Sequence, residues 1–209
     1  MNLGQLRTAV DRRTGIAVDT TTQTEWINFV LDEIALERNW WWLDKSSTVS
    51  VTAGTATYAL PADVRGIYSV VDSDGYLYDE ASTRDLVIYD RQDEVVVSFG
   101  TGRFYSMDGA NIRLAPTPGS ATTLTVRYWG GEPDLVADGD TPLLPSPYHQ
   151  AVVELVSLLV MQRRGSRIDS AKAEGYADMF KTLIRKMNGQ ALRRQGVSRV
   201  PRIRPGSGW

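Results

Sequence analysis

The only imidazole in the chain is His149. A Ser-His-Asp site would need a serine in an activating context, and no G-x-S-x-G occurs. Its place beside Tyr148, just after Pro147, instead fits the first turn of a helix. Carboxylates pair at Asp79-Glu80 and Asp93-Glu94, the residue types of a glycosidase acid and base. Neighbours on a strand face opposite ways, so neither pair shares a site by itself. Asp134, Asp138 and Asp140 lack the spacing of a calcium loop. Gly100-Thr-Gly102 lacks the Lys-Ser/Thr of a phosphate loop, and Gly130-Gly131 lacks the strand–helix context of a dinucleotide fingerprint; both read as turns. The chain has no cysteine, which excludes disulfides, Cys-ligated zinc, iron–sulfur clusters and thiol catalysis. The sequence therefore predicts no catalysis, no metal and no cofactor.

What remains is charge and aromatic surface. The 209 residues carry 23 Lys+Arg and 25 Asp+Glu, for a net charge of −2. That near-neutrality is a sum of opposites. Residues 1–159 hold 11 basic against 22 acidic residues, net −11, and residues 160–209 hold 12 against 3, net +9. An acidic body with a basic end points to a terminus that binds something the body does not. Gln190–Trp209 contains five Arg, three Gly and two Pro, too little apolar content for a core. Extended, it reaches roughly 65 Å at about 3.3 Å per residue. Arg193, Arg194, Arg199, Arg202 and Arg204 would suit phosphates or acidic protein surface, which Arg grips bidentately. Val197, Val200, Ile203 and Trp209 are interleaved with them. A purely phosphate-binding tail has no need of such anchors, so they favour an arm that orders against another protein. A second contact candidate is Trp40-Trp41-Trp42. Three consecutive residues spread over some 200° of a helix, or alternate faces on a strand. One or two close the core, and at least one is expected at a subunit interface.

The elements that position these residues follow from periodicity. Leu3, Leu6 and Val10 mark a short amphipathic helix stopped at Gly15. Thr22-Gln-Thr-Glu25 has the spacing of a capping box, and Ile27, Val30, Leu31 and Ile34 form the stripe of a helix running to about Asn39. From Val49 the period becomes two. Strand-like runs are Thr48–Thr52, Thr57–Leu60, Gly66–Val71, Tyr76–Tyr78, Val95–Phe99, Phe104–Met107, Ile112–Leu114 and Leu124–Trp129. Asp108-Gly109 signals a hairpin, and Ser82 can cap a short helix over Thr83–Tyr89. Glu132–Pro147 reads as a loop. Ser146-Pro147 opens a helix to about Arg164, whose broad stripe makes it central. A last helix, with Ala173, Tyr176, Ala177, Phe180, Ile184 and Met187 as its stripe, starts at Asp169 or Ser170 and stops at Gly189. The N-terminus lacks the apolar core of a signal peptide. Val152–Met161, broken by Glu154 and Ser157, is too short to span a bilayer.

The order helix, helix, strands, helix, helix, tail predicts an α+β fold: a four-helix bundle with an inserted antiparallel β region and an extended C-terminal arm. The expected divisions are N-terminal bundle helices over 1–45, the β region and loops over 46–145, the second helix pair over 146–189, and a docking arm over 190–209.

This layout resembles the head–tail connector, or adaptor, proteins of tailed bacteriophages. The features that carry the resemblance span most of the chain. They are Glu37-Arg-Asn-Trp-Trp-Trp42 after the first helices, Tyr58-Ala-Leu-Pro-Ala-Asp63, and Phe104–Pro116. Leu124-Thr-Val-Arg-Tyr-Trp129 follows, with Glu132-Pro-Asp-Leu135 and a Leu-Pro segment leading into two helices that hold Tyr176 and Phe180. The resemblance implies a structural virion protein at the head–tail junction, made in the host cytoplasm, without membrane contact. It implies a homo-oligomer, a twelve-subunit ring under a dodecameric portal, with phage DNA passing through the lumen and a downstream tail protein below. It also implies that the arm over Gln190–Trp209 reaches into portal grooves. A nucleic-acid-binding module using the Arg-rich tail is the alternative, and a carboxylate-dependent hydrolase a third reading.

Overall fold

The computed structural model describes residues 1–86, 102–163 and 170–194. The chain divides into a helical unit, Met1–Ile34 with Asp134–Trp209, and a sheet unit, Ala35–Pro133.

In the helical unit, α1 (Leu3–Thr14) begins with a reciprocal cap. The Asn2 side chain accepts from the Gln5 N–H at 2.9 Å, and the Gln5 side chain accepts from the Asn2 N–H at 3.0 Å. The helix ends at Gly15, whose φ of 65° is the left-handed conformation a side chain would oppose. Helix α2 (Thr20–Leu36) starts two residues before the predicted capping box. Asp19 accepts from the Thr22 N–H at 2.8 Å, so a carboxylate one turn earlier does the capping. Those hydrogen bonds from Thr22 lower the Asp19 pKa. A 3₁₀ turn at Ser146–Tyr148, with Pro147 in its first turn, leads into α3 (His149–Arg163). Helix α4 runs from Ser170 to Arg194. It continues past Gly189, so the first residues of the expected arm, Arg193 and Arg194 among them, are helical.

Helix α3 is central, as its broad stripe predicts. Ala151, Val152, Val153, Val156 and Val160 are buried on several sides of it, and it packs against both α1 and α4. Leu3, Leu6 and Val10 are the buried face of α1, and Met187 is buried on α4. The loop before α3 is strapped down through its backbone. Leu3 N–H donates to Asp140 C=O at 2.8 Å and Gly4 N–H to Asp138 C=O at 3.1 Å. The Asn28 amide both donates to and accepts from the Leu135 backbone at 3.0 Å.

The sheet unit has seven strands: β1 (Asp44–Val51), β2 (Thr57–Ala59), β3 (Val64–Asp72), β4 (Leu77–Glu80), β5 (Phe104–Asp108), β6 (Asn111–Ala115) and β7 (Thr122–Gly130). Their order is β1-β7-β3-β4-β5-β6-β2, and the sheet curls into a nearly closed barrel. One core receives side chains from every strand: Val49 and Val51, Tyr58, Val70, Tyr78, Tyr105, Ile112 and Leu114, Leu124 and Val126. A flat sheet cannot aim seven strands at one centre, but a curled one can. Strand β7 alternates strictly over Leu124, Val126 and Tyr128 inward, with Thr123, Thr125 and Arg127 outward. Asp108 pairs with Asn111 across a two-residue turn, where Gly109 has φ 59°.

The expected four-helix bundle with an antiparallel insertion is therefore not the fold. Among the described residues the extensive helix pairings are α1 with α3 and α3 with α4, in series around α3 rather than four around one axis. The strands form a barrel-like body with a core of its own. They are not all antiparallel either: β4 pairs with β5 in parallel, Asp79 opposite Phe104 and Glu80 opposite Tyr105. The chain between those two strands spans 81–103, long enough for the crossover that parallel pairing needs. Ser82 caps a helical turn at 83–86 within it, its Oγ accepting from the Asp85 N–H at 3.1 Å. The predicted strand Val95–Phe99 and the end of the predicted helix Thr83–Tyr89 lie outside the described residues.

Candidate assembly surfaces

His149, the one imidazole, is placed as framework. His149 is buried. Its Nε2–H donates to the Leu144 carbonyl at 2.7 Å, which leaves Nδ1 to accept from the Met1 ammonium. Burial lowers its pKa, the Leu144 hydrogen bond opposes that, and the Met1 charge adds to the lowering. Both ring nitrogens are thus committed to holding the chain start and the loop before α3. Glu154 is also buried; Arg13 donates to it at 3.2 Å and Gln150 at 2.6 Å. Asp79 and Glu80 are exposed on β4. Asp93 and Glu94 lie outside the described residues.

The tryptophans separate by role. Trp40 is fully buried and stacks on Trp42, centroids 4.6 Å apart and planes at 15°. Trp41 meets Trp42 edge-on at 5.5 Å. Only Trp41 and Trp42, both half-buried, keep surface. The 3₁₀ turn at Trp41–Leu43 breaks the helical direction here, which lets the three rings pack on one another instead of pointing three ways.

A second aromatic surface was not singled out from sequence. Tyr68 donates to Asp44 on β1, Arg127 on β7 donates to the other Asp44 oxygen at 2.9 Å, and the Tyr68 ring lies 5.0 Å from Trp129. Burial, and then the Asp44 carboxylate, push the Tyr68 pKa up to about 12. Tyr, Trp and Arg held together on a sheet face are the residue types that dominate protein contacts. Strand alternation was the available signal. Asp44 and Trp129 are direct cross-strand partners, and Tyr68 stands at a register shift between Ile67 and Ser69.

Of the arm residues, Arg193 and Arg194 lie in α4. Val197, Arg199, Val200, Arg202, Ile203, Arg204 and Trp209 are outside the described residues. Before them, α4 presents Lys181, Arg185 and Lys186 exposed. No helix among the described residues is long and apolar enough to cross a membrane.

Comparison with known families decides what these surfaces belong to. A family model described as SU10 adaptor protein matches residues 1–205. The chain belongs to the SU10 adaptor protein family. No curated protein matches it. The family is one of structural phage adaptors, so the resemblance drawn from the aromatic cluster, the Tyr58–Asp63 segment and the terminal helix pair holds. This SU10-family chain is a phage adaptor, a structural component of the virion. Adaptors of this family work against phage portal and tail proteins.

Proposed function

We propose that this adaptor forms a dodecameric ring beneath the portal, linking the DNA-filled head to the tail, with DNA passing through the ring. The family match over residues 1–205 carries this reading, because it takes in both units and most of the basic terminal segment. The charge division supports it. A body of net −11 does not hold a phosphate backbone, so DNA slides past it. The +9 end supplies Arg forks for acidic protein surface. In this reading residues 195–209, with Arg193 and Arg194 at their base, dock on the portal. Their apolar residues insert while the arginines pair. Trp41 and Trp42 lie at the contact with neighbouring subunits. The downstream tail protein binds the side away from the portal, and the free protein is largely monomeric because the arm orders on its partner.

Because α4 reaches Arg194, the test is a chain ending there. The shortened protein keeps its circular dichroism and melting transition and loses binding to portal particles in co-sedimentation. Undiminished portal binding overturns the docking role. Binding of free DNA by the intact monomer at low salt, collapsing steeply as salt rises, supports the nucleic-acid reading instead.

A further inference from the structure

Two helix faces of the helical unit stand open to solvent. The first lies on α2, on the side away from buried Ile27, Val30, Leu31 and Ile34. Phe29 is 53 % exposed there. At about 100° per residue, Glu25, Asp32 and Glu33 stand within about 60° of it, one turn before and one turn after. All three are exposed. A lone exposed Phe is ordinary. A Phe collared by three carboxylates is selective. Like charge turns away DNA phosphates and acidic protein, so the surface that fits is cationic with an apolar centre.

The second face lies on α4, on the side away from buried Met187 and half-buried Phe180, Leu183 and Ile184. Its centre is Thr182. Met179, Arg185 and Lys186 stand within about 60° of Thr182, and Gly175 and Gly189 within about 20°. Met179 is 44 % exposed, and Thr182, Arg185 and Lys186 are exposed with it. The two glycines keep the middle of the stripe low. A Cβ at either would meet nothing within 4 Å beyond its own helix among the described residues. Asp178 also lies on this face, with Lys181 4.0 Å from its carboxylate.

We propose that the α2 face of one subunit docks on the α4 face of the next. The Phe29 ring seats on the low stripe at Thr182, against the Met179 side chain, a sulfur–aromatic contact. Asp32 and Glu33, one turn beyond Phe29, meet Arg185 and Lys186, one turn beyond Thr182. The charges match when the two helices run the same way; reversed, Asp32 and Glu33 would face Asp178. The occupant is a second copy of this chain. Charge complementarity is one reason for choosing it. Exposure is another: both faces stand open on the same chain, so they do not cover each other within it. One face of each kind on every subunit gives the head-to-tail contact that a closed ring of more than two copies uses. The inference rests on the ring reading above and names the surfaces that close the ring.

The chain has no cysteine, so a pair of introduced thiols reports one contact. Glu33→Cys/Lys186→Cys, both at exposed positions, is assembled on portal particles and oxidised. A ladder of linked subunits on a denaturing gel is expected. Rings that form with intramolecular links alone, or with none, overturn the proposal. A charge swap is the second arm. Lys186→Glu, with its melting transition unchanged, raises the concentration that half-saturates portal particles at least about tenfold, because the like-charge contact recurs at every junction. Adding Glu33→Lys to the same chain restores it. A change on α2 would not repair a lost portal or DNA contact, so loss without restoration overturns the proposal, as does no loss at all. If the unmodified protein forms no ring on portal particles, the ring reading itself fails.

Discussion

The sheet unit encloses Val49, Val51, Leu60, Val70, Ile112, Leu114, Leu124 and Val126 with three tyrosines, whereas the helical unit buries Gln23, His149, Glu154 and Ser157 among its aliphatic stripes. The sheet unit's own buried carboxylate, Asp72, sits at the β3–β4 turn. There it accepts from the Asp74 N–H at 3.0 Å, the Tyr76 N–H at 2.9 Å and Arg103. The two cores are thus specified differently. The sheet core depends on volume, since its side chains fill a closed space. The helical core depends also on which protons sit where, since Gln23, His149 and Glu154 each hold a particular partner. The candidate contact surfaces are nonetheless spread over both units: Trp41, Trp42 and the Asp44–Tyr68–Arg127–Trp129 cluster belong to the sheet unit, and the basic residues of α4 to the helical unit.

Substitutions can break this contrast. Leu124→Ala, in the middle of β7, costs about 2–5 kcal/mol in denaturant unfolding, because the closed sheet relaxes little into the void. A loss under about 1 kcal/mol would show that the barrel core is loosely packed. A smaller effect belongs to His149. Its folded pKa lies below the ordinary 6.5, so below pH 6.5 the unfolded chain binds more protons than the folded one. The stability contribution is complete above 6.5 and falls away as pH drops beneath it. The melting temperature therefore declines from pH 7.5 to 5.5, and His149→Gln flattens that slope. An unchanged slope would place the titration elsewhere. The smallest effect is Ser157→Ala. The Ser157 hydroxyl is buried with no hydrogen-bond partner among the described residues, so its removal is neutral or slightly stabilising. Destabilisation by more than about 1 kcal/mol would mean that the hydroxyl has a partner, against this account.

Local chemistry was legible in the sequence because its signals act within a few residues. Gly15 ends α1, Asp108-Gly109 turns β5 into β6, and Pro147 starts the approach to α3, each where its conformational preference places it. The capping box at Thr22 failed only because Asp19 offered a better acceptor one turn earlier. Gly189 failed as a stop because its cost in a helix, about 1 kcal/mol, is small beside a stripe that ends in buried Met187. What was not legible was long-range pairing. Nothing near Asp79 or Phe104 announces that β4 and β5 run in parallel, and β1 finds β7 from the far end of the unit. Without those pairings a barrel looks like a run of hairpins, and four helical stripes look like one bundle. The candidate surfaces divide the same way. The basic arm and the tryptophans were visible as composition. The Asp44–Tyr68–Arg127–Trp129 cluster exists only once β1, β7 and β3 lie side by side.

The central claim is an assembly claim, so mass is its most direct test. Portal particles mixed with an excess of the protein, freed of unbound chains and measured by native mass or electron microscopy, should gain twelve copies of the 23.2 kDa chain as a ring on one face. Portal particles that gain no mass, or gain a variable number of copies without a ring, would contradict it.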